Sequence, residues 1–298
     1  MTFRLIILTI LYFPIWILGT LVIGDLIPDT YSEPGLMSDA SGMLTLGLIN
    51  TVLIVGLIVS SRWYGWRLMA FLALAYYGSF TFMTQIETWY FLTQITVSPE
   101  LLPRLFLMGL SIPLIYIPIA ILICDKWKRK GYDEAHIEKA RNLMPLSQLL
   151  IKLGVLAIVY LVIYWLAGYF IAWQNPELRA FYGSPGKITP FIAHTVKTFT
   201  QSPGLVLLQL VRGVLFGLIV LPLIIGSNVK PWLTGLLVAF LLAVPHLGHL
   251  MPNPLMPIAS VRLSHMIETA TSTFIFGLIV VWLLHRRHYS IKDLFYKK

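Results

Sequence analysis

The ionisable side chains of this apolar chain are concentrated in one stretch, PHLGHLMPNPLMPIASVRLSHMIETA, residues 245–270. His246 and His249 are three residues apart there, and so are His265 and Glu268. Residues at i and i+3 lie on the same face of a helix. The spacing therefore predicts two polar faces on two successive helices.

Three polar residues from elsewhere in the chain join this set. Arg212 and Gln209 share a face of another apolar helix, and Glu87 follows a further apolar run. Ionisable groups inside a bilayer are costly, so each needs a partner or a purpose. We expect all of them at one depth near the outer surface, with Glu268 either paired with Arg212 as a strut or part of a functional site.

Ligand binding is the first chemistry that such a set can perform. A deep arginine beside a carboxylate and histidines can bind an anionic group or relay protons. The predicted function is therefore the binding or transport of a small anionic or lipid ligand, which enters from the outer face. The candidate ligand-binding residues are Arg212, Glu268, His265, Glu87 and Gln209.

Metal-dependent hydrolysis is the alternative chemistry. Neutral imidazoles and a carboxylate are sufficient ligands for zinc, with a position left for water. The candidate ligands are His246, His249, His265 and Glu268, with Glu268 or Glu87 as the general base. The H-x-x-H spacing differs from the H-E-x-x-H motif of zinc proteases, and it is no more specific for a haem.

A third hypothesis makes the chain a non-catalytic assembly subunit in which the cluster holds helices together.

The composition places these residues in a membrane protein. Of the 298 residues, 57% are hydrophobic and 12% are charged, and the mean hydropathy is +0.79. Soluble domains are roughly 45–50% apolar and about 25% charged. The net charge of +9 lies in short blocks between apolar runs, which is typical of membrane topology and not of nucleic-acid binding.

Apolar runs of about 20 residues predict membrane-spanning helices. We find about eight, which makes the predicted fold class an all-α polytopic membrane protein. The runs are 4–24, 43–61, 67–88, 104–124, 147–172, 204–225, 232–250 and 264–285.

The distribution of Lys and Arg predicts the orientation. One set of connections carries the basic loop 125–146 and the tail HRRHYSIKDLFYKK, whereas DLIPDTYSEPGLMSD on the opposite side has neither Lys nor Arg. The positive-inside rule then places both termini in the cytoplasm and the chain in the plasma membrane. The outer segment 173–203 mixes aromatic residues with Pro and Gly, which predicts an interfacial or re-entrant loop.

A weak internal repeat divides this single membrane domain into halves, 1–142 and 143–298. The first helix of each half carries W-x-x-G, at Trp16 and Trp165, and the last begins R-L-x-x-M, at Arg104 and Arg262. Parallel repeats of four helices would place two similar bundles around an axis along the membrane normal.

In helix count the chain resembles the CAAX-processing intramembrane proteases. Their E-E-x-x-x-R and F-x-x-x-H motifs have no counterpart around Glu87 or His246, so the resemblance implies no functional residue here.

Two further residues near the cluster are expected to have ordinary structural roles. Arg262 is predicted to be an interfacial anchor and His194 a solvated loop residue.

Overall fold

The computed structural model describes residues 2–27, 31–91, 97–128, 144–286 and 288. Within these ranges the chain is helical and has no β-strand. The α-helices are α1 (Thr2–Thr20), α2 (Asp39–Val59), α3 (Gly65–Tyr77), α4 (Met83–Tyr90), α5 (Leu101–Met108), α6 (Ile117–Ile123), α7 (Leu146–Phe170), α8 (Pro176–Phe181), α9 (Phe191–Gln201), α10 (Pro203–Gly226), α11 (Pro231–Ala243) and α12 (Ala259–Leu284).

Irregular turns extend three of these helices. A π-helical turn at Gly78–Phe82 joins α3 to α4, and another at Ile112–Tyr116 precedes α6. A 3₁₀ turn at Val244–Leu250 continues α11 and carries His246 and His249. Such turns change which way the following side chains point, and π turns are frequent at functional sites.

Seven helical segments are long and apolar enough to cross a membrane, which confirms the predicted all-α polytopic fold. One of the eight predicted spans, 67–88, is helical but does not belong to these seven. It carries the polar residues Gln85 and Glu87. The seven are Thr2–Thr20, Asp39–Val59, Leu101–Ile123, Leu146–Gln174, Pro203–Gly226, Pro231–Leu250 and Ala259–Leu284.

A ring of helical segments encloses the centre of the molecule. Each member packs against the next in this order: α4, α10, α7, α12, the 3₁₀ turn, α2, α1, α5 and back to α4. We call the end of this ring at which residues 31–38, 171–190 and 251–258 lie the upper face.

The ring consists of two arcs, one from each half of the chain. In the first arc α1 packs between α2 and α5, and in the second α7 packs between α10 and α12. The arcs meet at two seams, where α4 packs on α10 and where α2 packs on α11 with its 3₁₀ turn. Two parallel repeats would produce this pattern, although duplication of the halves 1–142 and 143–298 stays a prediction.

Arg262 connects two segments of the upper face, 31–38 and 251–258, close to the seam between α2 and α11. Its guanidinium donates to Ser32 Oγ (3.1 Å), Glu33 O (2.6 Å) and Met256 O (2.8 Å), and further to the carbonyls of Pro34 and Pro257. The residue is only 1% exposed, so it is not the interfacial anchor expected from the sequence. Its burial is tolerated because these oxygens accept from both terminal nitrogens, Nη1 and Nη2, while Nε is buried without a partner.

The segment 173–203 is also more ordered than expected. It contains α8 and α9, and α9 exposes Ile192, Val196 and Phe199 along one side. The amphipathic pattern suits a helix that lies at a membrane surface. Most of the basic loop 125–146 and of the C-terminal tail lies outside the described residues.

Candidate functional site

The ring surrounds a cavity of about 1440 Å³. It reaches from the upper face, where Lys187 and Asn253 line it, down to Tyr12 and Asn50 in the first arc. Ligand pockets usually measure roughly 300–1,000 Å³, so this cavity has room for a large molecule. His246, His249, His265, Glu268 and Glu87 all line it.

His265 and Glu268 form a hydrogen-bonded pair on α12. His265 Nδ1 lies 3.1 Å from Glu268 Oε2. A carboxylate can only accept, so Nδ1 carries a proton and donates it to Glu268. The ring of His249 lies edge-to-face against that of His265, with centroids 5.3 Å apart. The structure therefore brings together three of the predicted residues.

The second carboxylate oxygen of Glu268 is free. Among the described residues Oε1 has no hydrogen-bond partner, while the side chain as a whole is 4% exposed. Gly168 on α7 leaves the space in front of it open, because a Cβ built at Gly168 would meet only this oxygen, at 3.9 Å. Glu268 therefore presents a bare oxygen to the cavity.

Arg212 pairs with Glu87 and not with Glu268. Its Nη1 lies 2.8 Å from Glu87 Oε1 and donates to Gln209 Oε1 at 2.9 Å. The guanidinium also lies over the ring of Tyr160, 5.5 Å from its centroid. The helix α10 packs on both α4 and α12, and the side chain of Arg212 is directed to the α4 side.

Arg212 and Gln209 do not contribute to the cavity wall. They are almost fully buried and are absent from the residues that line the cavity. Glu87 stands between them and the open space, with Gln85 beside it on the wall. Of the five candidate ligand-binding residues, Glu87, His265 and Glu268 can touch a ligand in this structure.

The candidate metal ligands lie on one wall without forming a metal centre. In the ranges that the structure describes, no three His, Cys, Asp or Glu side chains are grouped so that they could hold a metal ion. A zinc or haem site at His246, His249, His265 and Glu268 stays a prediction, and the geometry adds nothing in its favour.

Aromatic side chains form much of the remaining wall, a feature that leaves little trace in the sequence. Trp16 on α1 and Trp165 on α7, the two residues of the W-x-x-G pattern, both line the cavity, as do Tyr164 and Tyr182. The repeat was a usable signal, since equivalent positions on equivalent helices face the same axis. Tyr182, on the connection after α8, could not have been placed by periodicity.

His194 is part of this aromatic wall. Its ring lies against Trp165, Tyr169 and Trp173, with centroids 5.9, 5.4 and 5.5 Å away. The expectation of a solvated loop residue was therefore wrong. Burial, followed by the charge of Lys197, lowers the pKa of His194, so the ring is neutral at physiological pH.

The chain matches no family model, no curated protein and no solved structure. The fold and the site define the class as an all-α membrane protein with a central cavity, and the function has to be argued from the residues of that cavity.

Proposed function

We propose that this protein binds a lipid-type amphiphile in its central cavity and transports it. The observation that carries the proposal is the cavity itself, which combines a long aromatic wall with one polar cluster. An amphiphile needs both, because its apolar chain gains free energy against the aromatic wall and its head group needs hydrogen-bond partners.

The sequence predicted either a small anionic ligand or a lipid ligand, and we retain the lipid. A small anion would need an unpaired cation in the polar cluster, and Arg212 there is already neutralised by Glu87 at 2.8 Å, whereas Lys187 and Lys197 line the cavity from exposed positions. A volume of about 1440 Å³ also exceeds what a small anion could fill. Transport is supported by the two arcs around the cavity, since transporters commonly bind between repeats that move against each other.

We further propose that the protein resides in the plasma membrane with both termini in the cytoplasm and the upper face outside. The distribution of Lys and Arg supports this orientation. The cavity would then receive its ligand from the outer leaflet or the outside medium.

Two glycines of α7 allow a matched test. Gly168 lines the cavity, whereas Gly154 is exposed on the outside of the same helix, where a Cβ would have no other atom within 4 Å. A tryptophan at Gly168 would fill the polar end of the cavity, and a tryptophan at Gly154 would only face lipid. Each variant makes the same chemical change.

The measurement is native mass spectrometry of protein purified from membranes. Wild type and Gly154→Trp should retain a bound amphiphile, and Gly168→Trp should lose it while remaining folded. Equal retention by both variants would place the lipid outside the cavity, and an absence of any retained amphiphile in the wild type would refute the proposal.

A further inference from the structure

Three unused acceptor oxygens lie at the polar end of the cavity. Glu268 Oε1 has no partner among the described residues. Glu87 uses one carboxylate oxygen for Arg212, which leaves Oε2. Gln85 Oε1 is buried without a partner. These three atoms belong to side chains that line one cavity.

Cations are present near this cluster, but each described one is engaged or distant from it. Arg212 lies behind Glu87. Arg179 donates to the carbonyls of Trp173 (2.6 Å), Gln174 (3.2 Å) and Gly186 (3.0 Å). Lys187, on the connection after α8, and Lys197, on α9, line the cavity from exposed positions. Glu87 and Glu268 supply two carboxylates to the cluster, whereas Arg212 supplies one guanidinium, which is paired with Glu87.

Aromatic rings complete the surroundings that favour a cation. Tyr164, Trp165 and Tyr182 line the same cavity, and the faces of such rings attract cations within about 6 Å. Burial, followed by the negative charges of Glu87 and Glu268, raises the pKa of Tyr182. The negative charges of Glu87 and Glu268 are therefore felt at Tyr182, which lies on the connection after α8.

We propose that the head group of the bound amphiphile is a cation with several N–H donors, of the primary-ammonium class, and that Glu268 and Glu87 are its binding residues. This inference rests on the proposed function. An ammonium has three donors and no acceptor, so it matches an array of acceptors that an anion or an ether oxygen could not satisfy. Its charge would pair with the carboxylate of Glu268, whose Oε1 has no partner among the described residues.

Three probes with the same alkyl chain test the head group. Radiolabelled dodecylamine, dodecanol and dodecanoate are each titrated, below their micellar concentrations, into the purified wild-type protein. Dodecylamine should bind at least about tenfold more tightly than dodecanol, which is the gain expected from a charge-assisted hydrogen bond. Dodecanoate should bind more weakly than both.

Neutralising variants identify the residues. Glu268→Gln keeps the shape of the side chain and should weaken dodecylamine binding about tenfold or more, with little effect on dodecanol. Glu100→Gln is the matched control, because Glu100 is exposed and does not line the cavity. Thermal unfolding of each variant verifies that it is folded.

The outcomes separate this inference from the proposed function. If dodecanol or dodecanoate binds as tightly as the amine, or if Glu268→Gln leaves amine binding unchanged, the cationic head group is refuted while a lipid site stands. If none of the probes binds, or if Gly168→Trp blocks none of them, the proposed function fails as well.

Discussion

Arg212 is held by Glu87, by Gln209 and by the ring of Tyr160, and all of these contacts lie behind the cavity wall. The sequence made it the leading ligand contact, because a deep arginine in a membrane helix is a functional candidate by default. The structure makes it a strut across the seam between α10 and α4. The guanidinium is therefore directed to Glu87 and does not line the cavity.

A double-mutant cycle tests the strut. Arg212→Met leaves Glu87 without its partner, and removal of one member of a buried ion pair costs about 3–5 kcal/mol. We expect a loss of that order in the free energy of unfolding, measured in mixed micelles. Arg212→Met combined with Glu87→Gln should recover part of it, since no uncompensated charge remains. If Arg212→Met were as stable as the wild type, the assignment of Arg212 as a strut would be contradicted.

Local spacing predicted some contacts between residues and missed others. The pair of His265 and Glu268 followed from i,i+3 geometry on one helix, and the structure has it at 3.1 Å. The partner of Arg212 could not be predicted in this way, because it depends on which helices are neighbours. The acceptors of Arg262 are mostly backbone carbonyls, which leave no trace in the pattern of side chains.

At the scale of elements, apolar runs of about 20 residues predicted the spanning helices because the bilayer core imposes that length. The irregular turns were not predicted. The 3₁₀ turn Val244–Leu250 lies within the predicted span 232–250, and the π turn Gly78–Phe82 lies within the predicted span 67–88. Pro245 lacks the N–H that would continue α-helical hydrogen bonding, so the 3₁₀ turn had a local signal that the apolar pattern did not show.

Alanine substitutions at two glycines in the contact between α11 and α12 should have opposite effects on stability. A Cβ at Gly277 would come within 2.6 Å of Ala239 Cα, whereas a Cβ at Gly235 would meet nothing nearer than Leu278 Cδ2 at 3.6 Å. Gly277→Ala should therefore push apart the helices that carry the histidines and Glu268, at a cost of about 1–3 kcal/mol for overpacking.

Gly235→Ala is the control for this prediction. It should be neutral or stabilising by about 0.5–1 kcal/mol, because alanine has the higher helix propensity. Unfolding in mixed micelles measures both variants. Equal effects at the two positions would show that the close approach at Gly277 does not hold these helices together.

At the scale of the whole molecule, the sequence predicted about eight spanning helices, of which seven described segments are long and apolar enough, but it did not predict the order of the ring. Neighbours along the chain are not always neighbours in the ring, and the seams join α4 to α10 and α2 to α11. The W-x-x-G pattern, like the R-L-x-x-M pattern, linked distant helices. It assigned Trp16 and Trp165 equivalent places, and both line the cavity.

Cysteine labelling tests the orientation of the molecule. In a background with Cys124→Ser, Lys187→Cys is on the upper face and Lys128→Cys on the opposite side, and both positions are exposed. A membrane-impermeant maleimide should label Lys187→Cys in intact cells and Lys128→Cys only after permeabilisation. The reverse pattern would turn the cavity towards the cytoplasm and overturn the proposed topology.

Photo-crosslinking from inside the cavity tests the central claim most directly. Tyr164 lines the cavity, and Ile158 on the same helix is 60% exposed on the outside. A benzoylphenylalanine at either position is irradiated after extensive detergent exchange, and the adducts are identified by mass spectrometry. We predict an amphiphile from the membrane at position 164 and only detergent at position 158. Detergent alone at both positions would contradict the account.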